Sequence, residues 1–129
     1  MESLFRTILL EWLASDPLLS ASLNDFAEEA PSRASLPWLG IAASASTDWS
    51  TKTQRGREVR VAVELQTRGD TAAETSALAG QVEERIENLP KSRGGLTIAS
   101  TVFLRARAEQ RARNTRVVLL EYRFRILEA

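Results

Sequence analysis

The sequence predicts an α+β fold, with helices packed on a largely antiparallel sheet in the element order α-β-β-α-β-β. Three observations carry this. Val59, Val61, Val63 and Leu65 alternate with Arg60, Glu64 and Gln66, a period of two with one wet face. Leu120, Tyr122, Phe124 and Ile126 alternate in the same way with Glu121, Arg123 and Arg125. Two other stretches instead space their apolar residues by three and four, the mark of a helix with one buried stripe. A chain of 129 residues is read as one domain, 1–129. At that length a chain buries roughly two thirds of its unfolded surface, enough for a core without staples.

The first helix is predicted over 3–14. Phe5, Leu9, Trp12 and Leu13 form its stripe, widened by Leu4 and Ile8. Ser15-Asp16-Pro17 breaks the period, and Leu18 to Leu23 has room for one more helical turn. Asn24 to Leu36 reads as a connecting loop bracketed by Pro31 and Pro37. A first strand is predicted over Trp38 to Ser50. It places Leu39, Ile41, Ala43, Ala45, Thr47 and Trp49 on one face, and Gly40, Ser44, Ser46 and Asp48 on the other. Thr51 to Gly56 supplies the turn into the second strand, which ends at Gly69-Asp70.

The second helix is predicted from about Thr71 to Asn88, with Thr71 and Glu74 at capping-box spacing and Asp70 as an alternative N-cap. Its stripe is Leu78, Val82, Ile86 and Leu89, and Pro90 ends it. Leu96 to Leu104 reads as a third strand with Ile98, Val102 and Leu104 inward. Arg105 to Arg113 reads as a basic turn or loop, and Thr115 to Leu127 as the last strand.

Absences exclude most chemistry. The chain has no cysteine, so no disulfide framework, thiolate metal site or cysteine nucleophile is possible. It also has no histidine, which removes the commonest metal ligand and the usual base near neutral pH. Ser50 and Lys52 could share a strand face as a dyad, and Asp48 could meet Glu58 across the hairpin. Lys52, Arg55 and Arg57 beside them make a solvated ion cluster the better reading. No catalytic, cofactor or metal site is therefore expected, and the chain is not read as an enzyme. Glu2, Arg6 and Glu11 are inconsistent with a secretory leader, and no run nears the roughly 20 apolar residues of a membrane span. The expected setting is the cytoplasm, with no membrane partner.

Charge is balanced but blocky. Residues 1–50 hold two basic and seven acidic side chains, and 70–90 one and five. Residues 51–69 hold five basic and two acidic, and 91–129 nine and three. Lys appears only as Lys52 and Lys91; the remaining cations are Arg, whose forked donors suit interfaces. Two stretches stand out as binding candidates. One is the hairpin with Trp49, Lys52, Arg55 and Arg57; Trp and Arg dominate interface energetics. The other is RARAEQRARNTR, with Arg105, Arg107, Arg111 and Arg113. Those arginines could grip phosphate, but no aromatic interleaves them for base stacking. A small nucleic-acid-binding domain using Arg105 to Arg116 stands as the alternative from another class.

Two short motifs and the element order resemble a known family. Leu36-Pro37-Trp38 before Gly40, and Asp48-Trp49-Ser50-Thr51-Lys52-Thr53 followed by Gly56-Arg57-Glu58, are similar to tail-completion, or tail terminator, proteins of long-tailed phages and gene transfer agents. The order of helix, loop with Ala30-Pro31, hairpin, helix and two closing strands agrees over nearly the whole chain. The resemblance implies a non-enzymatic virion part at the head–tail junction. Such proteins form a ring, commonly a hexamer, that caps the tail tube and joins it to the head. Its implied partners are further copies of itself, the tail tube protein, and a head-side connector or stopper. DNA would pass through the lumen without specific binding. Another neck component, a head-completion or stopper protein, is the alternative within the class. Alternating acidic and basic segments could supply the two unlike faces that a closed ring needs.

Overall fold

The computed structural model describes residues 1–28, 36–69 and 72–129. Helix α1 (Glu2–Ala14) and the short α2 (Pro17–Ser22) lead into strand β1 (Asp25–Ala27). The hairpin β2 (Trp38–Asp48) and β3 (Gly56–Arg68) follows, then α3 (Ala72–Glu87). A two-residue β4 (Ser92–Arg93) precedes the long hairpin β5 (Leu96–Arg111) and β6 (Thr115–Glu128). The sheet order is β1-β2-β3-β6-β5-β4; β1 pairs parallel with β2 and every other junction is antiparallel. The predicted α-β-β-α-β-β order is the frame, with α2, β1 and β4 added to it.

The core lies between the helices and one face of the sheet. Phe5, Ile8, Leu9 and Leu13 of α1 meet Val59, Val61, Val63 and Leu65 of β3 and Leu120, Tyr122, Phe124 and Ile126 of β6. Val82 and Ile86 of α3 complete it. Phe5 and Phe124 pack at 4.7 Å between ring centroids, a tilted aromatic pair. Arg85 ties α1 to α3: its guanidinium lies 3.3 Å from the Trp12 ring centre, and its Nε donates to Trp12 O at 3.0 Å. Trp12 Nε1 returns a bond to Arg85 O at 2.7 Å. That role explains why Trp12 is only half-buried. Leu4, assigned to the stripe, is exposed instead, and on α3 Leu78 is half-buried while Ala79 and Thr75 take inward positions. The Thr71 and Asp70 caps and the Ala30-Pro31 loop lie outside the described residues.

Pro17 occupies the first turn of α2, where its missing N–H costs nothing, and Asp16 caps it by accepting from Leu18 N. The Asn24 to Leu36 stretch is not all loop, since β1 pairs Phe26 with Leu39.

Two strands depart from the sequence expectation. The first is β2, which does not keep one face throughout. A bulge between Ile41 and Ala43 shifts the register, so Ser44 and Ser46 lie opposite Val61 and Val59 on the helix side. Ala43, Ala45 and Thr47 are turned to the outside and are exposed. Ser44 is inward because a polar helix end meets it: its Oγ donates to Glu2 at 2.8 Å, and Arg6 Nη1 reaches it at 3.1 Å.

The departure in β5 is larger. Arg105 to Arg111 is strand, not loop, because β5 continues to Arg111 against β6. Bulges after Ile98 and Phe103 shift its faces, so Thr101 and Phe103 take inward positions opposite Phe124 and Tyr122. Leu104 falls in the second bulge and is exposed. The turn is Ala112 to Asn114, with Arg113 and Asn114 at φ of 62° and 59°.

Candidate assembly surface

The predicted contact residues fall at one end of the sheet and along a stretch from its middle, where Arg105 lies level with Ala62, to its other end. Trp49, Lys52 and Arg55 lie in the β2–β3 turn, and Arg57 begins β3. Arg111 and Arg113 lie beyond the other end of that strand, since Thr115 pairs with both Arg68 and Arg111. At ~3.3 Å per residue over the 13 residues of β3, Arg111 and Arg113 are ~40 Å from the hairpin turn, while Arg105, level with Ala62, is about half as far along. They form two surfaces, not one.

The hairpin turn is held by its own side chains. Trp49 N donates to Gly56 O at 2.9 Å, and Gly56 N to Ser50 Oγ at 3.0 Å. Ser50 Oγ in turn donates to Asp48 at 2.7 Å. The Ser50 hydroxyl thus braces the turn. Gly56 is required at this point: a Cβ there would meet Trp49 O at 2.5 Å and Ile126 O at 2.8 Å. Trp49 is half-buried on the outer side of the sheet, with the Arg125 guanidinium 5.5 Å from its ring centre. It shares that outer side with Ala43, Ala45 and Thr47, as the alternation predicts. Arg57 points to the helix side, donating to Ser46 Oγ at 2.8 Å. Lys52 and Arg55 are exposed and have no ion-pair partner among the described residues. They are available cations.

The other arginines are differently placed. Arg105, Arg107 and Arg111 share the outer face with Glu109 of β5 and Glu121 of β6. Arg105 pairs with Glu121, Arg107 with Glu109 at 3.0 Å, and Arg111 with Glu109 at 3.1 Å and Glu64 at 3.4 Å. Arg123 and Arg125 converge on Glu58 at 3.6 and 3.2 Å. The outer face is therefore a charge ladder in which Arg105, Arg107, Arg111, Arg123 and Arg125 already have carboxylates in the same subunit, while the exposed Arg60 has none among the described residues. Exposed pairs of this kind contribute little stability, but they compensate the charge that a phosphate backbone would need. Arg113, at the turn, has no ion-pair partner among the described residues. The alternation placed Glu64 and Glu121 on wet strand faces, but sequence reading did not pair them, or Glu58, with the arginines of β5 and β6.

The helix side shows one further feature. A groove of about 670 Å³ runs between α3 and the far half of the β5–β6 hairpin, lined by Ala79, Gly80, Ala106, Ala108, Val118 and Leu120. Among the described residues no cluster of three or more potential metal ligands occurs. No described helix is long and apolar enough to cross a membrane.

Comparison with known families decides the class. The family described as "Tail completion protein gp17" matches residues 7–127, nearly the whole chain. The chain belongs to this tail completion family. Among solved structures, it is similar to a chain of the "Virion of native gene transfer agent (GTA) particle". The match has 22% identity and a TM-score of 0.77, and covers 95% of this chain and 93% of the other. That likeness shows a shared fold. No curated protein sequence matches. The family resemblance seen in the hairpin motifs thus holds, and it extends through the helices and the closing strands.

Proposed function

We propose that this protein is a structural tail terminator: a ring of copies that caps the completed tail tube and joins it to the head. The observation that carries the reading is membership of the tail completion family over residues 7–127, with a fold like that of a chain in a gene transfer agent virion. The surface chemistry supports it. The hairpin turn and the Arg111–Arg113 turn are two polar, arginine-bearing ends ~40 Å apart along the 13 residues of β3. Unlike surfaces on one subunit are what head-to-tail ring contacts use.

In this reading the hairpin end, with Trp49, Lys52, Arg55 and Arg57, meets one partner. The outer-face arginines Arg105, Arg107 and Arg111, which run from mid-sheet to the opposite end, and Arg113 at the far turn meet another. Neighbouring copies, the tail tube protein and the head-side connector or stopper are those partners. DNA passes through the lumen without a specific site. The place of action is the head–tail junction of a phage-like particle, reached after assembly in the cytoplasm.

The test is deletion of the gene in a producing strain, with particles viewed by electron microscopy. The reading predicts filled heads and tails that fail to join, restored by the wild-type protein. A double reversal, Arg55→Glu with Arg57→Glu, should restore joining poorly while the isolated protein stays folded. Normal joining in the deletion strain would refute the function. Normal joining with the double variant would remove the hairpin from the contact.

A further inference from the structure

Among the described residues, both edges of the sheet are only partly covered, and at opposite ends. On one edge β1 pairs with Trp38 to Gly40, and among the described residues no strand pairs with Ile41 to Asp48 of β2 on that side. On the other, β4 pairs with Leu96 and Thr97, and Ile98 N donates to Lys91 O at 2.7 Å. From Ala99 to Arg111 that edge too has no neighbour among the described residues. Unpaired strand edges of this length are templates for pairing with another chain.

The phase of each ladder says which backbone groups are free. Ile98 points its N–H away from β6, so after the two bulges Thr101, Phe103, Ala106, Ala108 and Gln110 do the same. On β2, Trp49 N bonds back to Gly56, which puts Asp48, Ser46 and Ser44 outward-directed. Both sets belong to the helix side of the sheet.

We infer that neighbouring copies join through their sheets, the free edge of β5 in one copy pairing antiparallel with the free edge of β2 in the next. This rests on the ring reading and names its junction. The directions fit. β2 and β6 run one way and β3 and β5 the other. Rotation about an axis near the strand direction keeps those senses, so β5 of one copy meets β2 of the next antiparallel. The junction then places helix side beside helix side in a continuous sheet. It is also heterologous, as closure into a ring demands.

The side chains permit the approach. The free stretch of β2 carries Ala42, Ala43, Ser44, Ala45, Ser46 and Thr47, with no bulky residue to bar a second backbone. On β5 the helix side is uncovered: Ala106 and Ala108 are exposed, and Phe103 is 45% exposed. The groove beside α3 leaves room there for the helix layer above the next copy's β1 and β2. Gly80 borders that space, and a Cβ there would meet nothing within 4 Å.

Proline tests the junction, because it removes an edge N–H without touching the inner ladder. Ala108→Pro blocks the β5 edge and Ser46→Pro the β2 edge. The expected native mass spectrum shows rings for wild type and monomers for each variant alone. An equimolar mixture should give a heterodimer and nothing larger, since each variant keeps the edge that the other lacks. Circular dichroism establishes that both variants fold. Hydrogen exchange on the wild-type protein gives an independent reading without substitution. The amides of Thr101, Phe103, Ala106, Ala108, Ser44 and Ser46 should slow at least tenfold between dilute monomer and ring. Rings formed by either folded variant, or unchanged exchange at those amides in the ring, would overturn the junction and leave the ring intact. A wild-type chain that stays monomeric throughout would overturn the ring reading and this inference together.

Discussion

Gly40→Ala is a demanding test of how the outer face is built. Trp38 is 1% exposed yet lies outside the main core, on the side of β2 opposite Leu39. Its ring lies across Gly40. An added Cβ would collide with ring carbons Cζ2 and Cη2 of Trp38 and with the Ala27 carbonyl of β1. Neither a carbonyl in a strand nor a fully buried indole is a flexible end that can swing aside. Complete eviction of the indole, at 150–250 Å² and ~25 cal/mol per Å², would cost about 4–6 kcal/mol. Local accommodation of an overpacked methyl costs about 1–3 kcal/mol. The better strand propensity of Ala offsets roughly 0.5–1 kcal/mol of either figure. The expected loss is therefore about 2 kcal/mol, with β1 loosened from β2. Urea unfolding measures the loss. Fluorescence in a Trp12→Phe, Trp49→Phe background reports Trp38 alone, and its emission should shift to the red. A loss below about 0.5 kcal/mol with unchanged emission would refute this packing.

Three further outcomes rest on particular side chains. The Glu2 carboxyl is held below its ordinary range by hydrogen bonds from Ser46 and Ser44, aided by Arg6. A depressed folded-state pKa gives stability that is present above the unfolded value of about 4.3 and lost as pH falls through the folded value. Glu2→Gln should therefore be less stable than wild type at pH 7, with the gap closing below about pH 4 in thermal melts. The Tyr122 hydroxyl is buried without a hydrogen-bond partner among the described residues, and burial, with Glu83 and Glu87, raises its pKa. Tyr122→Phe removes an unsatisfied group and should stabilise the fold by about 1 kcal/mol in urea unfolding. Arg113 sits at a φ of 62°, where an L side chain is strained, so Arg113→Gly should raise stability by about 1 kcal/mol in the same assay.

The legible parts of the fold were those where side-chain period and burial agree. Val59 to Leu65 and Leu120 to Ile126 read as strands because one face is apolar at every second residue, and the structure buries all of those positions. Arg105 to Arg111 read as loop because Ala106 and Ala108, its helix-side residues, are small and uncovered. A strand without a buried face has no apolar alternation to display. The β2 faces were misjudged for another reason. A bulge inserts one residue and exchanges the faces beyond it, and nothing in Ala42-Ala43 marks where that happens. The charge blocks along the chain likewise could not show that Arg105, Arg107 and Arg111 find Glu121, Glu109 and Glu64 within the same subunit. Those partners come from strand neighbours up to 47 residues away. The turn at Trp49 to Gly56 was legible because its hydroxyls and glycine are local, and the family match over residues 7–127 includes it.

Native mass spectrometry of the purified wild-type protein over a concentration series addresses the ring most directly. The account predicts a single closed species of fixed copy number in equilibrium with monomer. A monomer at every concentration, or an open-ended ladder of sizes, would contradict it.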